Sequence, residues 1–199
     1  MEGSEALAVL NLAGGLVRQP NRPIRVLGID LGTTNSTAAE VTWSPGQDSP
    51  PRARCIEIDQ DTLEGVYTHT LVPSSVALYA GREWVGEGAK RLRARGPQFG
   101  LERNRDLFYE CKNDIGLRRT YAEAPEGFRS ASAIAGRVLA YMLKSCSGGA
   151  PFDRVVVTVP ASFQLAQRQD TRDAARQAGI EMRPGELLVF RHGLPVASN

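Results

Sequence analysis

The stretch DRVVVTVPA (153–161), with the polar residues that follow it, constrains the fold more than any other part of the chain. Four Val fill the five positions Val155–Val159, the strongest strand signal in the sequence. Ser162 is placed to cap a helix that runs to Ala178. Gly179 then stands where a left-handed C-cap falls. A buried strand that feeds a helix directly is a unit of α/β architecture.

The N-terminal half supplies the rest of the sheet. Ile24–Leu31 is a nearly continuous apolar run, as in a central strand covered on both faces. Residues 36–43 return as its antiparallel partner. SPGQDSPPR (44–52) is a loop by composition. Arg54–Ile58 predicts a short strand, DQDTLEG (59–65) a turn, and Val76–Tyr79 with Glu83–Val85 a meander. Helices are expected over Ala89–Arg95 and Leu101–Ile115, the second stopped by Gly116. Residues 117–128 read as a loop. Ser130–Ser145 carries Ile134, Val138, Leu139, Met142 and Leu143 on one helical face. Strands, helices and a final strand–helix unit, with no internal repeat, give an α/β protein with a mixed sheet.

Bulk properties exclude several classes. With 42% hydrophobic and 23% charged residues the chain is an ordinary globular one, and its net charge of +2 names no polyanionic partner. Lys90, Arg91, Arg93 and Arg95 cluster without interleaved aromatics and read as a solvated face, so no nucleic acid is expected. Cys55, Cys111 and Cys146 are odd in number and widely spaced, which suits reduced thiols in a cytoplasm rather than a disulfide framework or zinc site. Residues 1–22 have an apolar middle, Ala6–Val17, but no positive residue ahead of it. They read as a leader and linker, with a short helix over Ser4–Leu12, and not as a signal peptide. No apolar run suits a membrane span.

The chemistry concentrates at the tip of the predicted hairpin, GIDLGTTNS (Gly28–Ser36). A tight turn of Gly, Thr, Thr and Asn can aim several backbone N–H groups into one concavity and hold an anion without a charged side chain. Gly32 allows close approach of backbone to ligand. Asp30 places a carboxylate where a hydrated Mg²⁺ would sit beside phosphates. No G-K-[ST] follows, so this is not a Walker A loop. A hairpin with an incidentally polar turn remains the alternative on this string alone.

GIDLGTTNS closely resembles the first phosphate loop of the seventy-kilodalton heat-shock chaperones of DnaK type. VVVTVPASFQLAQRQDTRDAARQAGI (155–180), VPSSVALYAGREWVGEGAKR (72–91) and LFYECKNDIG (107–116) are similar to three further blocks of that family, in the family's order. The resemblance covers residues 24 to about 188. It implies one lobe of an actin-like ATPase (ribonuclease H-like) fold with a small α+β subdomain. Lobe core would comprise 23–58 and 152–188, with an insert at about 59–151. It further implies ATP or ADP with Mg²⁺ as ligands, Gly32, Thr33, Thr34 and Asn35 on the phosphates, and Asp30 near magnesium through water. Lys112 aligns with the catalytic lysine, and Pro160 with Arg168 form a relay towards a client-binding domain. Clients and co-chaperones would be the partners.

The chain also departs from the family. YECK holds one residue more between Phe and Lys than is usual. Beyond GELL the text is VFRHGLPVASN, without the family's Asn-Glu-Pro-Thr, so Phe190 or a neighbour stands where a glutamate belongs. Residues 189–199 are a non-matching tail, and no second phosphate loop or second lobe follows. A truncated product, by an interrupted reading frame or by intent, is expected to have negligible ATPase activity and to self-associate through its open lobe face. A non-catalytic interaction module is the alternative function. A sugar kinase or actin relative would share the fold, but the 155–180 block argues against it.

Overall fold

The computed structural model describes residues 21–46, 50–181 and the backbone of 187–190. The expected helix over Ser4–Leu12, most of the leader, the middle of the 44–52 loop and most of the tail lie outside the described residues.

The chain opens with β1 (Ile24–Asp30) and β2 (Asn35–Trp43), an antiparallel hairpin in register from Ile24 opposite Trp43 to Asp30 opposite Thr37. β3 (Ala53–Cys55) extends it. β4 (Ile58–Thr62) and β5 (Gly65–His69) then form a separate hairpin. This corrects the expected strand at 54–58 and turn at 59–65. Gln60 looked like a turn residue because it is polar. Here it is fully buried, with its Nε2 donating to the Leu71 carbonyl (3.0 Å) and its Oε1 accepting from the Glu87 amide (2.9 Å). A polar side chain satisfied at both ends can stand inside a strand's covered face.

β6 (Leu71–Pro73) pairs with the start of β2. β7 (Ser75–Tyr79), β8 (Arg82–Val85) and β9 (Leu107–Tyr109) make a three-stranded sheet in the order β8-β7-β9. Between them lie α1 (Glu87–Ala94) and the single turn α2 (Gly96–Phe99). The expected helix over 101–115 is therefore a strand followed by a 3₁₀ turn, Cys111–Asp114. The reason lies on the sheet's two sides. Val76, Val85 and Phe108 join the main core, while Ala77, Trp84 and Leu107 face a second, smaller core. Leu107 and Phe108 are adjacent and both buried, which suits the period-two alternation of a strand between two layers. Asn104 and Glu110, at φ 64° and 58°, also break any helical path.

α3 (Ala131–Cys146) starts at Ser130, whose hydroxyl accepts from the Ala133 amide (3.1 Å). It buries Ile134, Val138, Leu139 and Met142, as its periodicity predicted. β10 (Arg154–Pro160) follows, then α4 (Leu165–Gln177) and β11 (Leu187–Phe190). The N-cap of α4 is Gln164, not Ser162. Gln164 and Gln167 satisfy each other's backbone amides in a capping box, so the helix starts three residues later than Ser162 would allow. Gly179 does take the left-handed conformation, φ 78°. α3 and α4 lie so close that a Cβ on Gly136 would come within 3.1 Å of the Ala174 carbonyl oxygen.

The six-stranded sheet runs β11-β10-β1-β2-β3, with β6 also on β2. β1, β10 and β11 are parallel, and the remaining pairs are antiparallel. The fold is thus mixed α/β, with a small α+β region built on the three-stranded sheet. At one end of the main sheet the entering chain is held by charge. Asp153 accepts from the Arg22 guanidinium (2.6 Å) and the Arg25 amide (2.8 Å), and Glu40 accepts from Arg25 (2.7 Å) and Arg54 (3.3 Å). The opposite end, where β1 and β10 finish side by side, carries the candidate site.

Candidate functional site

Parallel pairing sets Asp30 opposite Thr158 at the carboxyl ends of β1 and β10. The Thr158 hydroxyl donates to Asp30 Oδ1 (2.7 Å), and Asp30 stays exposed. The β1–β2 turn begins beside it. A Cβ on Gly32 would lie 1.9 Å from the Asn35 carbonyl oxygen, so only glycine permits a turn this tight. Thr34 and Asn35 are exposed and Thr33 half-buried. No side chain of the three is hydrogen-bonded to another described residue. Their donors are therefore unspent.

Ser74 holds this turn from beneath. Its amide donates to the Thr34 carbonyl (2.8 Å), and its hydroxyl meets the buried Ser36 hydroxyl at 2.8 Å. Thr37 adds a bond from its hydroxyl to the Thr70 carbonyl (3.1 Å).

Lys112 comes from the 3₁₀ turn, far from the hairpin in sequence. Its ammonium donates to the Leu31 carbonyl, at the base of the turn, and lies 5.3 Å from the centroid of the Phe163 ring. Burial pushes its pKa below the ordinary value, and the nearby Asp30 carboxylate opposes that shift. The extra residue of YECK does not displace it. Glu110 adopts a left-handed conformation immediately before the turn, and Lys112 still reaches the loop.

Pro160 ends β10, and Arg168 lies on α4. The two meet through one residue: the Phe163 amide donates to the Pro160 carbonyl (3.1 Å), and Arg168 Nε donates to the Phe163 carbonyl (2.9 Å). Asp170 on the same helix accepts from the Gly116 amide (2.7 Å), which ties α4 to the Lys112 segment.

Asp30, the Gly32–Asn35 turn, Lys112 and Pro160 thus lie around the carboxyl ends of β1 and β10, with Arg168 joined to them through Phe163. Thr158, Ser74 and Phe163 were missed. Thr158 left a signal, as the one polar residue in the Val run, at the position facing the end of β1. Ser74 and Phe163 left none that spacing alone could reveal.

The residues fit a phosphate-and-magnesium ligand. The turn is so tight that a Cβ on Gly32 would strike its own Asn35 carbonyl, its Thr and Asn side-chain donors are unspent, and one lysine is drawn to its base. Asp30 is a single carboxylate, and among the described residues no cluster of three or more His, Cys, Asp or Glu could hold a metal. That donor set suits Mg²⁺ held through its water shell rather than by a protein cage. The basic cluster on α1 is different in character. Lys90 and Arg91 pair with Glu87, and Arg91 and Arg95 with Glu64. Arg93 lies over the Tyr109 ring and Arg95 over Phe99, so aromatics distant in sequence do reach this face. No described helix is long and apolar enough to cross a membrane.

A family model described as Hsp70 protein matches residues 26–183. The Chaperone protein HscA homolog of Aeromonas hydrophila is 34% identical over 191 residues, covering 88% of this chain and 29% of the relative. The Chaperone protein HscA of Edwardsiella ictaluri is 33% identical, covering 84% and 28%. The Chaperone protein DnaK of Mesomycoplasma hyopneumoniae is 32% identical, covering 79% and 23%. The chain spans less than a third of the length of these relatives.

Proposed function

The chain belongs to the Hsp70 protein family, and from that premise we propose that it is the phosphate-facing lobe of a chaperone's ATP-binding domain. The observation that carries this reading is the convergence of Asp30, the Gly32–Asn35 turn and Lys112, brought together from two distant parts of the sequence. In this reading the lobe core comprises residues 23–58 and 152–188, with an insert at about 59–151.

Each residue has a role that its surroundings support. The backbone amides of Gly32–Asn35 and the hydroxyls of Thr33 and Thr34 bind the β- and γ-phosphates. Lys112, partly desolvated, offers a cation at short range in a medium that screens it poorly. Asp30, oriented by Thr158, would hold a Mg²⁺ through its water shell. The ion's own contribution when bound is to neutralise charge on the phosphates, and phosphoryl transfer depends mainly on such positioning and neutralisation. Pro160 and Arg168, joined through Phe163, form the relay to a client-binding domain. Hydrolysis, clients, co-chaperones and a cytoplasmic setting belong to the complete protein.

Titration calorimetry of Mg-ADP and Mg-ATP into this chain tests the proposal. Binding is expected at a Kd of about a millimolar or tighter, roughly −4 kcal/mol or better. It should be lost in Gly32→Ala and weakened at least tenfold in Lys112→Ala. Wild-type heats no larger than those of Gly32→Ala, with both chains folded, would sink the reading in favour of a non-catalytic interaction module.

A further inference from the structure

Tyr121, Asp114 and Cys111 form a largely buried cluster behind the 3₁₀ turn that carries Lys112. The Tyr121 hydroxyl donates to Asp114 Oδ2 (2.9 Å), and Arg119 donates to Asp114 Oδ1 (3.1 Å), so both carboxylate oxygens are engaged. The Cys111 thiol lies against the Tyr121 hydroxyl and donates to the Tyr109 carbonyl (3.7 Å). Tyr121 is itself a fixed point. It is 2% exposed, its amide donates to the Arg129 carbonyl (2.9 Å), and its ring meets that of Phe108 with centroids 5.9 Å apart. Burial pushes the Tyr121 hydroxyl above its ordinary pKa and the Cys111 thiol up to about 11. At neutral pH the first therefore stays a donor and the second stays uncharged.

A 3₁₀ turn of four residues has few hydrogen bonds of its own, and their geometry is poor. Its leading residue, Glu110, is left-handed at φ 58° and supplies no side-chain cap. A conformation of that kind persists only where the surroundings hold it. Lys112 and Asp114 are two residues apart, which at three residues per turn separates them by about 240° around the axis. Their side chains accordingly leave on different sides, Lys112 to the Leu31 carbonyl and Asp114 to Tyr121. A rotation of the turn that breaks one contact breaks the other. Ile115 in the main core and the Gly116 amide on Asp170 (2.7 Å) fix the chain just past the turn, whereas the Tyr121 bond acts within it. We propose that Tyr121 and Asp114 are positioning residues for Lys112: the hydrogen bond between them locks the 3₁₀ turn and so holds the ammonium at the base of the Gly32–Asn35 turn. What this placement does for phosphate rests on the reading of Lys112 under Proposed function, but the placement itself is measurable without nucleotide.

Lysine titration by NMR on the full chain tests it. The lysines are Lys90, Lys112 and Lys144, so isotope-labelled lysine Cε signals can be followed singly, with Lys112→Arg as the assignment. Lys112 should titrate below its ordinary value of 10.5, because burial disfavours its charge. Asp30 on β1 is the charge that faces it, and the Leu31 carbonyl and Phe163 ring are neutral. Tyr121→Phe removes only the hydroxyl, and Asp114→Ala removes the acceptor. In both, the ammonium gains water, and its proton affinity should rise roughly threefold or more. Loss of the Asp114 charge alone would move Lys112 the other way. Asp114→Asn keeps an acceptor oxygen and should titrate like the parent chain. Parent Lys112 titrating at its ordinary value would overturn the inference. So would an unchanged titration in Tyr121→Phe with circular dichroism showing a folded chain, or Asp114→Asn matching Asp114→Ala. Lys112 responding as expected in a chain whose Mg-ADP heats match those of Gly32→Ala would uphold the inference and sink only the phosphate reading.

Discussion

Removing one hydroxyl from the Ser36–Ser74 pair should cost more than removing both. The two oxygens lie 2.8 Å apart, Ser36 is 1% exposed and Ser74 8%. Neither hydroxyl is hydrogen-bonded to another described side chain. Ser36→Ala therefore strands the Ser74 hydroxyl in a buried place, and Ser74→Ala strands that of Ser36. A buried hydroxyl left without a partner costs about 1–3 kcal/mol, whereas replacing both partners by apolar groups is nearly neutral. Each single variant should thus lose about 1–3 kcal/mol, and the double variant less than about 1 kcal/mol, a coupling of at least roughly 1 kcal/mol. For a chain of this size each kcal/mol moves Tm by about 2–4 °C. Urea unfolding followed by circular dichroism measures all four corners of the cycle, and equal m-values would confirm that the unfolded states match. Additive losses, with the double variant the least stable, would refute the reasoning. They would mean that the two hydroxyls are satisfied independently of each other. The cycle matters beyond stability because Ser74 also supports the Thr34 carbonyl, so the pair forms the floor of the Gly32–Asn35 turn.

Three further outcomes are expected. Phe108→Ala, at a fully buried position in the main core, should lower stability by about 3–5 kcal/mol, measured by the same unfolding. Ser130→Ala should cost about 1 kcal/mol through the lost cap of α3, and Ser130→Asp should restore it. The third concerns pH. A hydrogen bond from Arg25 holds the Glu40 carboxyl below its ordinary value of 4.5, with burial opposing and Arg54 assisting. Since the folded-state pKa is the lower one, Glu40 stabilises the fold fully above its unfolded value and loses that contribution as pH falls through its folded value. Glu40→Gln should therefore flatten the fall in stability between about pH 5 and pH 3, and an unchanged pH profile would show the ion pairs to be inert.

Where the sequence spoke plainly, it did so through patterns confined to one element. β1 and β2 were readable because two apolar runs flank a polar tip, and α3 because Ile134, Val138, Leu139 and Met142 repeat at helical spacing. Errors came where a neighbour decided. The 101–115 segment became β9 because β7 offered a pairing edge between two cores, which no local propensity encodes. Gln60 became a strand residue because the Leu71 carbonyl and the Glu87 amide satisfy it. Gln164 outcompeted Ser162 as a cap through Gln167, three residues on. The same division holds in the site. Gly32, Thr33, Thr34 and Asn35 lie on one continuous string, and Lys112 was found through the resemblance. Ser74 and Phe163 matter only because folding brings them against that string.

The pairing of β1 with β10 also bears on how the chain reaches its fold. Asp30 and Thr158 are 128 residues apart, and the parallel register between their strands closes the centre of the main sheet. Non-local pairing of this kind slows folding, because the loop's entropy must be lost before its contacts form. On the ribosome, the β1–β2 hairpin and the three-stranded sheet can assemble from the first two thirds of the chain. The apolar edge of β1 must wait for the Val-rich strand to emerge. Until then that edge is open to mispairing and to aggregation.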